Sequence, residues 1–214
     1  MGMFTDFAQN KINDAILRGQ ALGAPATWFI ALLKCTKGQR ANSTAYALND
    51  TIAVLISGKN YLYKVTTAGT TAAAQPGTLT GAANEVITDG TAVLTEQTAA
   101  LDAATALVEP SGGSYARVSV TASLANFAGT QGAGTTVAST GTTGTSSNNG
   151  TIAFPVPTAD QTTGTEKIWG AAFYDASSAG NAWMWMGLTA VQSVLNGQAA
   201  PSFAAATLTT QIGN

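Results

Sequence analysis

Over the first eighteen positions apolar residues recur at spacings of three and four. Phe4, Ala8, Ile12, Ala15 and Ile16 form one stripe, which predicts a helix over 4–18. Asp6 followed by Gln9 resembles a capping pair, and Gly19 directly after the last periodic residues supplies a stop. Beyond Pro25 the period disappears. Trp28-Phe29-Ile30-Ala31-Leu32-Leu33 is a short, continuous apolar run, the pattern of a strand buried on both faces.

Alternation with period two begins at Ile52. Ile52, Val54 and Ile56 alternate with smaller residues, Ser57-Gly58-Lys59-Asn60 forms a turn, and Tyr61, Tyr63 and Val65 alternate again, so a β-hairpin is predicted. A Gly, Thr, Ala and Pro stretch follows. Thr88-Asp89-Gly90-Thr91 then turns the chain into a third strand at 92–95. Three strands with one apolar face suffice for a small module. Residues 98–107 fit a short helix or a linker equally well by propensity.

Strands dominate from Tyr115 onward. Tyr115, Arg117 and Ser119 alternate with Val118 and Val120, and further strands are predicted at 152–155, 168–174, 182–186, 189–195 and 203–212. Pro155 marks a strand end or edge. Trp183-Met184-Trp185-Met186 places large apolar groups on both faces, as a buried central strand does and a sugar-stacking platform does not. This regular series favours a mainly β fold: an antiparallel β-sandwich or barrel-like domain with one N-terminal α-helix and a small inserted β module.

Between these strands, residues 128–150 contain no charged side chain and are nearly all Gly, Thr, Ser, Ala and Asn. Such a segment is long for a loop in a compact domain and buries little by itself. It is expected to be mobile or ordered by a neighbouring subunit, with Ala128, Gly132, Gly134, Val137 and Asn148 marking a candidate inter-subunit contact.

Composition sharpens this picture. Only 9% of the 214 residues are charged and none is histidine, against roughly 25% charged in an ordinary soluble domain. Charges keep free monomers soluble and apart, so a chain this poor in them is expected to sit among partners. A net charge of −2 with scattered basic residues argues against nucleic acid. The trio Lys34, Lys37 and Arg40 reads as a solvated strand end. No apolar run approaches the roughly 20 residues of a membrane span, and the N-terminal stretch, with Asp6, Lys11, Asp14 and Arg18, lacks the pattern of a secretory signal. The expected location is a reducing cytoplasm or a particle assembled there.

Candidate chemistry is sparse. Without histidine the commonest general base and metal ligand is missing, and the lone Cys35 in an apolar run is expected to be a buried, inert thiol. Asp160, Glu166 and Asp175 are the carboxylates to inspect for paired acid chemistry, with nothing but their number to recommend them. Gly129, Gly132 and Gly134 mimic a phosphate loop only loosely, lacking the strand before and the helix after. No catalytic residue, cofactor or metal is assigned. Tyr46, Tyr61 and Tyr63 could face a glycan or form the core of the small module. Arg117 is expected to hold a structural ion pair, with Asp175 a candidate partner.

Several short motifs share an order with one known group. Asn10-Lys11-Ile12, Arg18-Gly19 and the Ala24 to Leu33 run come first. Gly112-Gly113-Ser114-Tyr115-Ala116-Arg117-Val118, Ile152-Ala153-Phe154-Pro155 and Ala172-Phe173-Tyr174-Asp175-Ala176 follow. Gly180-Asn181, Gly187-Leu188-Thr189 and Pro201-Ser202-Phe203-Ala204-Ala205-Ala206 complete the series. In this order they resemble small tailed-bacteriophage structural proteins catalogued as tail fibre or tail proteins. Typical members pass directly from the strand ending near Thr36 to the Gly113-Ser114-Tyr115-Ala116-Arg117 segment. Here residues 41–107 intervene, themselves similar to a phage-type β module through Tyr46, the 63–70 stretch and the 88–91 turn.

The resemblance implies a discontinuous β-sandwich-like attachment domain, 1–40 with 108–214, and a projecting inserted module, 41–107. It implies a non-enzymatic virion protein assembled in the bacterial host cytoplasm, with other virion proteins and copies of itself as partners; a trimer is the first expectation. Tail fibre, tail or neck placement is favoured, a capsid decoration protein is the alternative, and a module binding bacterial surface glycan is a second one.

Overall fold

The computed structural model describes residues 3–211. The chain opens with β1 (Met3–Phe4), α1 (Asp6–Arg18) and β2 (Thr27–Cys35). It continues through β3 (Ala45–Tyr46), β4 (Thr51–Ile56), β5 (Lys59–Thr67), β6 (Gly69–Thr70), β7 (Val86–Asp89), β8 (Ala92–Glu96) and α2 (Thr98–Asp102). The remainder is β9 (Val118–Thr121), β10 (Thr145–Ser147), β11 (Ile152–Ala153), β12 (Lys167–Tyr174), β13 (Ala182–Gln192), β14 (Ser202–Phe203) and β15 (Thr209–Gln211). The protein is mainly β, and its strand ladders are antiparallel.

A five-stranded sheet of order β1-β13-β12-β2-β9 forms the centre. Ile30 and Leu32 of β2 face one side, while Ala31, Leu33 and Cys35 face the other, so the apolar run at 28–33 is indeed covered on both faces. In β12 the ladder slips between Ile168 and Gly170. That bulge carries Trp169 and Ala171 to opposite faces, although simple alternation would place both on one. A second slip, between Phe173 and Tyr174, falls opposite Trp183. Trp183 and Trp185 are both buried.

The two faces are covered differently. One is closed by loops and by the short ribbons β11-β14 and β10-β15, which bring in Ile152, Phe154, Phe203 and Leu208. The other carries a four-stranded sheet of order β4-β5-β8-β7, whose Ala53 and Leu62 share a cluster with Ala31, Leu33, Trp169 and Trp185. The sheets stack as layers and none closes into a barrel. The predicted hairpin and third strand are β4, β5 and β8, but they pack onto the central sheet rather than standing clear of it. Their outer face closes over its own core of Tyr46, Ile52, Val54, Tyr63, Val65, Leu79 and Leu94.

Other boundaries shift for identifiable reasons. Helix α1 starts at Asp6, because the side chain of Thr5, not Asp6, accepts the cap hydrogen bond from Ala8 N. It ends where Gly19 takes φ 66°, the left-handed conformation glycine adopts without penalty. Of its apolar stripe only Ala8 is buried. Residues 182–192 form one long strand in place of two, and the helix at 98–102 is a single short turn. The strand predicted at 203–212 divides into β14 and β15 around a turn, and its last residue, Ile212, lies outside the described residues.

Candidate functional site

The Ser114-Tyr115-Ala116-Arg117 motif leads into β9 and ties it down. Arg117 donates from Nη2 to Glu109 Oε1 at 2.6 Å and from Nη1 to the carbonyls of Ala176 and Ala179, both at 2.8 Å. Its guanidinium lies over the Tyr174 ring, 3.5 Å from the centroid. The Tyr115 hydroxyl donates to Glu109 Oε2 at 2.8 Å and accepts from Leu32 N at 3.2 Å. One carboxylate thus holds two motif side chains, which reach β2, β12 and the 175–181 turn. Burial pushes the Tyr174 phenol up to about 12, the Glu109 charge pushing the same way and Arg117 opposing it. Arg117 therefore pairs with Glu109 and not with Asp175, whose oxygens accept from Asn181 and Trp183 Nε1.

The basic trio is not a solvated strand end. Lys34 reaches Glu166 at 2.8 Å and Lys37 lies 3.9 Å from Asp50. Arg40 is buried in a two-bond pair with Asp89, at 2.6 and 2.9 Å, and also donates to Asn42 and to the carbonyls of Ala72 and Ala74. Asp89, read as a turn residue, is the buried anion that fixes this segment. Neither Glu109 nor Asp89 carries a sequence signal beyond the scarcity of charge itself.

The candidate acids are occupied separately. Asp160 accepts from Asn196 N, Glu166 from Lys34 and Thr163, and Asp175 from Asn181. Burial pushes Glu166 up, but the hydrogen bonds from Lys34 and Thr163 outweigh it and hold the carboxyl below its usual range. Among the described residues no group of three or more His, Cys, Asp or Glu is placed to hold a metal ion. Among them, too, no helix is long and apolar enough to cross a membrane. Cys35 is buried, and burial pushes its thiol up to about 11.

The three candidate glycan-contact tyrosines separate. Tyr46 and Tyr63 lie in the core of the small sheet. The Tyr46 hydroxyl accepts from Ala41 N, and that of Tyr63 donates to Glu85 and accepts from Gly81 N. Tyr61 is half-buried and lines a cavity of about 130 Å³ with Lys59 and Gly81, smaller than the roughly 300 Å³ at which ligand pockets begin.

Polar side chains tie the charge-free 128–150 segment to the rest of its own chain. Asn148 is buried; its amide donates to the carbonyls of Gly150 and Ala204 at 2.7 and 2.8 Å and its oxygen accepts from Leu208 N at 2.9 Å. Asn149 donates to Thr135 O and accepts from Gly134 N. Thr130 bonds Gly141, Thr135 bonds Gly129 and Gln131 bonds Ala138, so short polar side chains replace a core. Strand β10 then pairs with β15. Ala128 and Asn148 lie inside this arrangement, whereas Gly132, Gly134 and Val137 remain at the surface.

This assembly of structural ion pairs and polar loop clamps is where comparison with known sequences becomes informative. No curated protein matches the chain. A sequence model of the family described as Podophage GP4 fiber I protein gp80 matches residues 44–211, which takes in the whole small sheet, the Tyr115–Arg117 clamp and the 128–150 segment. With well over half of its length matched, the chain belongs to this family of bacteriophage fibre proteins.

Proposed function

We propose that the protein is a non-enzymatic structural component of a tailed-bacteriophage fibre, assembled in the host cytoplasm and carried in the virion through contacts with other virion proteins and copies of itself. The family match over residues 44–211 carries this reading. The fate of the titratable groups supports it: Glu109, Asp89, Glu166 and Asp175 each hold a local element in place. A catalytic pair would instead converge on an open pocket.

In this reading residues 1–40 and 108–214 form a discontinuous attachment domain and residues 41–107 an inserted module seated on its sheet. The exposed Gly132, Gly134 and Val137 belong to the surface that meets neighbours. Mass spectrometry of purified particles tests the proposal. The expected result is the chain present at tens of copies or fewer per particle. Hundreds of copies would move it to the capsid as a decoration protein, and absence from particles would overturn the reading.

A further inference from the structure

Helix α1 leaves the C-terminal end of its apolar stripe without cover. Ile16 is 74% exposed, and Leu22, in the chain that follows, is 39% exposed. Beside this ridge runs an open groove of about 500 Å³, walled by Ile12, Leu22 and Leu124 and floored by Trp28, Phe127 and Phe173. Leu124 is 54% exposed and Val137, two residues from the groove-lining Ser139, 60%. Isolated apolar residues are normal on a protein surface, but a continuous set lining a groove marks an interaction site.

The geometry points to a second copy of this chain as the occupant, docked with the α1 ridge of one copy in the groove of the other. This rests on the fibre reading above and gives its self-association a location. Two observations favour a copy. Ridge and groove adjoin on the same face, so two or more copies satisfy one another, in a pair or around a ring. None of the groove's nineteen lining residues is charged, and on the last turn of α1, around the exposed Ile16, Asp14 and Arg18 neutralise each other at 2.8 Å, so that end of the ridge brings no uncompensated charge into an apolar site. A 13-residue helix with one buried side chain gains little from its own domain; docking would cover the rest of its stripe.

Sedimentation velocity of the full chain over a concentration series tests this, with Ile16→Glu, Leu124→Glu and the double variant beside the wild type. Val86→Glu, at a residue 62% exposed on β7, serves as the control. The expected result is an oligomer for wild type and control, and at least tenfold weaker association for the groove variants with unchanged circular dichroism. An oligomer that ignores all three groove variants overturns the inference. A wild type that stays monomeric overturns it as well, while detection of the chain in particles would leave the fibre reading standing. If the wild type is monomeric and the groove variants fail to enter particles, the groove receives another virion protein, which also overturns it.

Discussion

The guanidinium of Arg117 sits 3.5 Å over the Tyr174 ring while its edge meets the carboxylate of Glu109 at 2.6 Å. This joins the start of β9 to the end of β12, two strands separated in the sheet by β2. Lysine would keep the charge but lose both the fork and the stacking plane. Arg117→Lys should therefore cost about 1–3 kcal/mol, and Arg117→Ala, which strands Glu109, about 3–5 kcal/mol. Urea denaturation of the purified variants measures both; equal stability of Lys and Arg would contradict the role of the planar fork.

A loss as large as that of Arg117→Ala is expected inside the small sheet. Arg40 and Asp89 are almost wholly buried, and Asp89 also accepts from Ala72 N at 2.9 Å. Asp89→Asn would leave the guanidinium without its counter-charge, at a cost of about 3–5 kcal/mol. Hydrogen exchange should show the amides of β7 and β8 losing protection before those of β2 and β12.

The seam between the layers depends on a glycine. A Cβ on Gly187 would run into the Asn60 carbonyl oxygen, at the point where Asn60 Nδ2 donates to Leu188 O at 2.9 Å. Backbone of one layer touches backbone of the other, so no rotamer change relieves the overlap. Gly187→Ala should lower stability by about 1–3 kcal/mol or more, whereas Gly58→Ala, with open space around it, should cost only what its φ of 79° imposes. Thermal melting of the two variants separates these outcomes.

Lys34 and Glu166 give the fold a dependence on acid. Glu166 titrates below its ordinary 4.5 in the folded chain. A lowered carboxylate adds stability that is complete above pH 4.5 and disappears as pH falls through the folded value. The pair is partly exposed, so the contribution is small, about 0.5–1 kcal/mol. Glu166→Gln should lose that amount at pH 7 and nothing once the wild-type carboxyl is protonated. Denaturation curves of both proteins from pH 7 downward check it, the two converging as the wild-type carboxyl takes up its proton.

Cys35 should be silent. With a thiol raised to about 11 and a fully covered side chain, the native protein should resist a thiol-specific chromogenic reagent at pH 8 and react completely in denaturant. Rapid labelling of the native state would show that β2 opens at its C-terminal end.

Period and punctuation carried much of the secondary structure. Helix α1, the strand at 28–33, the β4–β5 hairpin, β8 and β12 follow from local spacing, because side-chain direction repeats every 3.6 residues in a helix and every two in a strand. The bulge at 168–170 did not, since one extra residue reverses a strand's faces without altering its composition. The Tyr115–Arg117 motif stood out as a string of residue types, yet its partner Glu109 lies outside it, and the Tyr174 ring is supplied by another strand. The burial of Tyr46 and Tyr63 was equally undecidable from alternation, which tells which residues share a face but not which face is covered.

The scarcity of charge was fully present in the sequence, and with it the expectation of a chain living among partners. What local pattern could not contain was the assignment of each charge and each apolar stripe to a neighbour far along the chain. Arg40 meets Asp89 and Lys34 meets Glu166 across long separations, and the 41–107 sheet lies down on the central one. Only chain folding sets such distances. The same holds for α1: its amphipathic spacing is a property of thirteen consecutive residues, but that its ridge stays uncovered beside an uncharged groove is decided by where every other element packs.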